Sequence, residues 1–227
     1  MAINTRVLVA QIAIMFLVFA LLLFLPAGTI AWPAAWVFLV LFFGFVVAVT
    51  WWLFRYNPEL LQERMTGFKA DQQAWDKVLL PLAGVLFFTW LVLMPLDAVR
   101  FHWSWVPVWL RAVGTVILLC SFLLFFLTFR ENSYLSPAIR IQEERGQTVV
   151  STGPYRYVRH PMYAAFVLLV LGTPLLLGSW YGILFGLILV VVVARRAVLE
   201  ERMLRKDLQG YDVYTTQVKY RLIPHVW

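Results

Sequence analysis

Six apolar runs constrain this chain more than anything else in it: Val7–Leu25, Trp36–Phe54, Val78–Leu96, Val108–Phe129, Met162–Leu177 and Trp180–Ala194. A helix needs about 20 apolar residues to cross the hydrocarbon core of a bilayer. The first five runs come close to that length, and the sixth is short but continues into a charged segment of helical pattern. The chain is 62% hydrophobic and only 14% charged, where soluble domains sit at about 25% charged. The predicted fold is therefore all-α and integral to the membrane, with about six transmembrane helices. Gly178 and Ser179 alone join the last two runs, so these two should form a tight helical hairpin.

Charge placement orients the map. With the N-terminus inside, every Lys and Arg except Arg100 and Arg111 falls in an inner segment. Enrichment of basic residues in cytoplasmic loops is the expected bias, so both termini are predicted to be cytoplasmic. The net charge of +7 needs no nucleic acid; anionic lipid headgroups are partner enough. The run from Val7 reads as a retained first span rather than a cleaved signal, because "FLPAGTIAWPAAW" leads straight into the second run. Between spans two and three, residues 55–77 open on Asn57-Pro58 and suit a short helix on the membrane surface. Trp103, Trp105 and Trp109 mark the opposite interface.

The chain thus divides into residues 1–129, four spans with that interfacial segment, and residues 130–227, a loop, the hairpin and a C-terminal helix. Metal chemistry is not indicated, because His102, His160 and His225 are scattered and Cys120 is alone. Cys120 reads as a buried thiol packed within its span. No ionisable residue lies mid-span in the six runs, where a transport pathway would place one.

The remaining polar density falls in Arg130–Tyr163 and Ala194–Pro224. These stretches flank the hairpin, so its two helices return them to one membrane face. Gly146 and Gly153-Pro154 read as turns, with a short extended stretch between them. Pro161 suits the first turn of a helix. That helix would present free N–H groups and its positive dipole end to the cytoplasm. His160 and Tyr163, three apart, neighbour one another on the opening turn. Arg196/Glu200 and Glu201/Arg205 are four apart, and taken alone read as surface ion pairs.

Gly153-Pro154-Tyr155-x-Tyr157-x-Arg159-His160-Pro161-x-Tyr163, followed beyond a hairpin by Glu200-Glu201, resembles the isoprenylcysteine carboxyl methyltransferase and phospholipid methyltransferase superfamily. Gly210-Tyr211-x-x-Tyr214 and Ile223-Pro224 extend the likeness. Ala164-Ala165 stand where the family often has a glycine. The resemblance implies a catalytic region at 130–227 that uses S-adenosylmethionine and releases S-adenosylhomocysteine. It implies cofactor contacts from Gln142, Gln147, Thr148, Val149 and Val150 in the loop. It adds Tyr155, His160, Pro161, Met162 and Tyr163 from the motif, and Glu200 and Glu201 beyond the hairpin. Arg196 falls where the carboxyl-methylating branch would bind its substrate. The acceptor implied is a membrane-embedded lipid or prenylated molecule, methylated at a carboxylate or an amine. A carboxylate would need only an orienting arginine, whereas an amine would need a base such as His160. A membrane reductase of the sterol-reductase type, using NADPH on a related hairpin, is the rival enzyme reading. A non-enzymatic membrane protein retaining the scaffold is the third. No GxGxxG turn supports a Rossmann-type alternative.

Overall fold

The structure, a computed structural model, describes residues 3–66 and 69–227. Gly67 and Phe68 of the predicted interfacial segment lie outside the described residues. The elements are α1 (Thr5–Ala27), α2 (Pro33–Tyr56), α3 (Pro58–Met65), α4 (Asp76–Pro95), α5 (Val108–Glu131), α6 (Pro161–Leu177), α7 (Trp180–Asp207) and α8 (Tyr211–Gln217). Among the described residues there is no strand. Five helices, α1, α2, α4 with its π-helical extension to Arg100, α5 and α7, are long and apolar enough to cross a membrane. The fifth predicted run instead forms α6, apolar but only 17 residues long.

Local chemistry explains the boundaries. Asn4 caps α1 by accepting hydrogen bonds from the N–H groups of Arg6 and Val7. Asn57 ends α2 and starts α3, its side chain accepting from Leu60 N at 3.2 Å, with Pro58 at the first helical position. The hairpin turn is as short as its sequence suggests. Gly178 takes the left-handed conformation at φ +89°, and Ser179 Oγ caps α7 by accepting from Gly182 N at 2.8 Å. Beside it, Asp97 Oδ2 accepts from the Ser179 hydroxyl at 2.6 Å and the Ser104 hydroxyl at 2.7 Å. That buried carboxylate pins the end of α4 to the hairpin.

The hairpin is not the tightest helix pair. α6 packs along α5 more extensively than along α7, because Gly114 and Gly172 let the two backbones touch. A Cβ on Gly172 would lie 2.7 Å from Leu118 N and 2.8 Å from Gly114 O, both backbone atoms that cannot swing away. Gly172→Ala is therefore expected to cost about 1–3 kcal/mol through overpacking, read as a lower Tm in detergent. An unchanged Tm would mean the helices can separate freely. Around this pair, Phe38, Trp90, Leu118 and Leu177 form the buried core of the membrane region. Cys120 corrects the expectation of burial: it lies on an exposed face of α5, where lipid tails satisfy a thiol as well as protein does.

Candidate functional site

Beyond α5 the chain makes a long irregular excursion, residues 132–160, before re-entering the bundle as α6. Side-chain hydrogen bonds hold it in shape. Gln142, buried, donates from Nε2 to Tyr134 O at 2.6 Å and accepts from Arg145 Nη1 at 2.6 Å. Its own N–H donates to Gln147 Oε1 at 2.8 Å. Arg140 fastens the excursion to α3, pairing with Glu63 at 3.2 Å. Burial alone would raise the Glu63 pKa, but bonds from Lys69 and Ser136 and the Arg140 charge hold it below the usual carboxylate range.

The second wall comes from α7 and the segment that leads on to α8. Glu200, Met203, Leu204 and Leu208 fall on one side of α7 and its C-terminal end, and Tyr211 opens α8 beside them. Between this stripe and the excursion lies an open cavity of about 810 Å³, counting the space that opens to solvent. Of the residues singled out by sequence, Gln147, Thr148, Val149, Val150, Tyr155, His160, Met162, Tyr163 and Glu200 line it. Asn132, Tyr134, Tyr211 and Tyr214 line it too, although no sequence argument assigned them a place there. The signal for Tyr211 and Tyr214 was the Gly210-Tyr211-x-x-Tyr214 segment that extends the family likeness. Asn132 had none, since its contact depends on how the loop folds back.

Four expected contacts sit outside the lining. Gln142 braces the loop from behind, and Pro161 is buried as the first residue of α6. Glu200 and Glu201 are adjacent, so a helix turns them about 100° apart, and only the first faces the cavity. Glu200 Oε2 accepts from the Tyr163 hydroxyl at 2.6 Å. Glu201 points the other way into a buried cluster. Its Oε1 accepts from Arg159 Nε at 2.6 Å and lies 3.3 Å from His160 Nε2; its Oε2 accepts from Arg221 Nε at 2.8 Å. Arg159 also donates from Nη1 to the carbonyls of Val218 and Lys219. The C-terminal tail is thereby strapped across the His160-Pro161 turn.

Arg196 is likewise committed elsewhere. Nε and Nη2 donate to the two carboxylate oxygens of Asp76 at 2.8 and 3.1 Å, and Nη2 also reaches Pro137 O at 2.6 Å. Its guanidinium sits 6.0 Å from the centre of the Tyr163 ring. Neither of the expected surface ion pairs on α7 forms, because Asp76 and the Arg159 cluster offer better-buried partners.

Residues 109–209, spanning α5 to the end of α7, match the phospholipid methyltransferase family. Over 85 residues the chain is also 36% identical to protein-S-isoprenylcysteine O-methyltransferase of Schizosaccharomyces pombe. This region is thus similar to members of the isoprenylcysteine carboxyl methyltransferase and phospholipid methyltransferase superfamily. The likeness to the yeast protein covers 37% of this chain and 36% of that protein's length. The superfamily region contains the motif, the hairpin and Glu200. α1 to α4 precede it, and the Gly210-to-Pro224 tail that straps the motif lies beyond it.

Proposed function

We propose that the cavity binds S-adenosylmethionine and that the chain transfers a methyl group to a lipid-like acceptor in the bilayer, releasing S-adenosylhomocysteine. One observation carries this reading: loop, motif and α7 stripe of a methyltransferase-superfamily region converge on one open cavity. The lining also suits the cofactor. Val149, Val150, Met203 and Leu204 offer an apolar bed for an adenine or thioether, and Glu200 a carboxylate for an ammonium or ribose hydroxyl. The Tyr211 hydroxyl is buried and has no hydrogen-bond partner among the described residues, which is costly unless a ligand supplies one.

When bound, the cofactor supplies an electrophilic methyl group on a sulfonium cation. The residues of the chain contribute position and dryness rather than acid–base chemistry. Aromatic faces of Tyr155 and Tyr163 can stabilise a neighbouring cation. Burial pushes the Tyr155 and Tyr211 phenols above their ordinary value, so both are neutral at neutral pH and neither serves as base. Glu201 and Arg196 act as positioning residues: one fixes the His160 turn, the other supports Tyr163 from beneath. The site lies on the face that carries most basic residues, and this orientation puts it in the cytoplasm.

Calorimetry tests the reading. Folded protein should bind one equivalent of S-adenosylhomocysteine, and NADPH should neither bind nor compete. Tyr163→Phe removes a charge-assisted hydrogen bond to Glu200 and should weaken binding about tenfold. Absence of S-adenosylhomocysteine binding, or displacement by NADPH, would overturn the assignment.

A further inference from the structure

The sixth apolar run is too short to cross a bilayer by itself, and α7 shows how the crossing is completed. From Trp180 to Ala194 the helix rises only about 22 Å, against a hydrocarbon core about 30 Å thick. Leu184, Ile188, Val191, Arg195, Arg202 and Lys206 are all exposed and share one face of α7, within about 60° of helix turn. The opposite face is engaged: Gly186, Leu189 and Val193 are buried in the bundle, and Glu200, Met203 and Leu204 line the cavity. The exposed face is thus one outer band, apolar as far as Val191 and basic at Arg195, Arg202 and Lys206.

Trp180 fixes the depth of this band. Its indole Nε1 donates to Trp105 O at 3.1 Å, tying it to the aromatic outer loop, and such rings sit at the headgroup level. One hydrocarbon thickness further on, about 20 residues of helix, falls at Leu199. Arg195 therefore lies about 6 Å short of the opposite boundary, and Arg202 and Lys206 about 5 and 10 Å beyond it. Helical side chains lean toward the N-terminus, here back toward the bilayer, so Arg202 and Lys206 reach into the headgroup layer. Arg195 reaches the same layer by snorkelling. Among the described residues no salt bridge engages these three cations, whereas Arg205 beside them meets Asp212 at 3.6 Å. Glu200 and Glu201 are turned to other faces of the helix.

We propose that Arg195, Arg202 and Lys206 bind the headgroups of anionic phospholipids in the leaflet on the cavity side. Charge complementarity selects this occupant. The phosphate of a zwitterionic lipid is balanced by its own ammonium, whereas a net negative phosphodiester needs cations from elsewhere, and the band offers three within about 16 Å of helix. Phosphatidylglycerol carries neither amine nor carboxylate, so it is held as a partner and not as a methyl acceptor. Band and cavity occupy opposite faces of α7, so the proposal goes beyond the methyltransferase reading and survives its failure.

Electron paramagnetic resonance of spin-labelled lipids tests it. Full-length protein is placed in phosphatidylcholine vesicles with a trace of phosphatidylglycerol or phosphatidylcholine labelled on the acyl chain, and the immobilised fraction reports which lipid the protein holds. The wild type should prefer phosphatidylglycerol by about fivefold, the worth of one basic residue at an anionic surface, or more. Exchanging all three residues (Arg195→Gln, Arg202→Gln, Lys206→Gln) should remove most of that preference. Arg195→Lys with Arg202→Lys should keep it, because charge and not shape is recognised. Should the triple variant not fold, Arg202→Glu reverses one exposed charge and carries the same prediction. Equal immobilisation of the two lipids by the wild type would overturn the proposal. So would an undiminished preference in a neutralised or reversed variant of unchanged Tm, or its loss in the lysine variant.

Discussion

Glu201→Ala is expected to cost about 3–5 kcal/mol of stability, the usual penalty for removing one partner of a buried ion pair. The Arg159 and Glu201 side chains are only 5% and 3% exposed, so water cannot replace the lost carboxylate. Three cationic or potentially cationic groups converge on it from two chain segments, Arg159 and His160 before α6 and Arg221 in the tail. Removing it leaves the Arg159 charge facing two backbone carbonyls. The tail should then detach from the motif, and the His160 and Tyr163 rings, stacked with centres 5.4 Å apart, should lose their fixed register. Glu201→Gln keeps the shape and some hydrogen bonds, so an intermediate loss is expected. Thermal unfolding in detergent gives the ranking wild type, Gln, Ala. An alanine variant as stable as the wild type would show that the cluster is not the strap described.

Asp76→Ala should be nearly as damaging. The carboxylate has no exposed surface and accepts four hydrogen bonds, two from Arg196, one from Gln72 Nε2 and one from Ile139 N. It therefore ties the start of α4, the cavity loop and α7 together. Alone, the change strands the Arg196 guanidinium in a buried site, at a cost of about 3–5 kcal/mol. Combined with Arg196→Met, much of that loss should return, because exchanging a whole buried pair for apolar groups is often close to neutral. A double-mutant cycle measures the coupling. Additive effects would mean that the two side chains act independently. The same experiment separates roles for Arg196: a residue devoted to substrate would raise KM and leave Tm unchanged, whereas the Asp76 partner lowers Tm.

The membrane plan was legible because length and hydropathy are local quantities. The apolar runs predict the helices, Asn57-Pro58 predicts the start of α3, and Gly178-Ser179 predicts the tight turn. Length does not show how one run packs. The Met162–Leu177 run becomes a helix of 17 residues pressed against α5 through Gly114 and Gly172, an arrangement set by small residues 58 positions apart in the sequence. Much of the cavity was legible through the Gly153-to-Tyr163 motif and its distance from Glu200. Which polar groups bind each other was not. Spacing suggests that Arg196 reaches Glu200, four residues on, yet its partner Asp76 is 120 positions away. Buried charges choose partners by desolvation and geometry, and those appear only once the helices are packed.

One small-molecule site, bounded by residues 147–150, Tyr155, Tyr163 and Glu200, is proposed to hold the methyl donor. An experimental structure of the protein with S-adenosylhomocysteine tests it most directly. Ligand density is predicted in that cavity, with a polar group of the ligand within hydrogen-bonding distance of Glu200 and another meeting the unpartnered Tyr211 hydroxyl. Density elsewhere on the chain, or an empty cavity at saturating ligand, would contradict it.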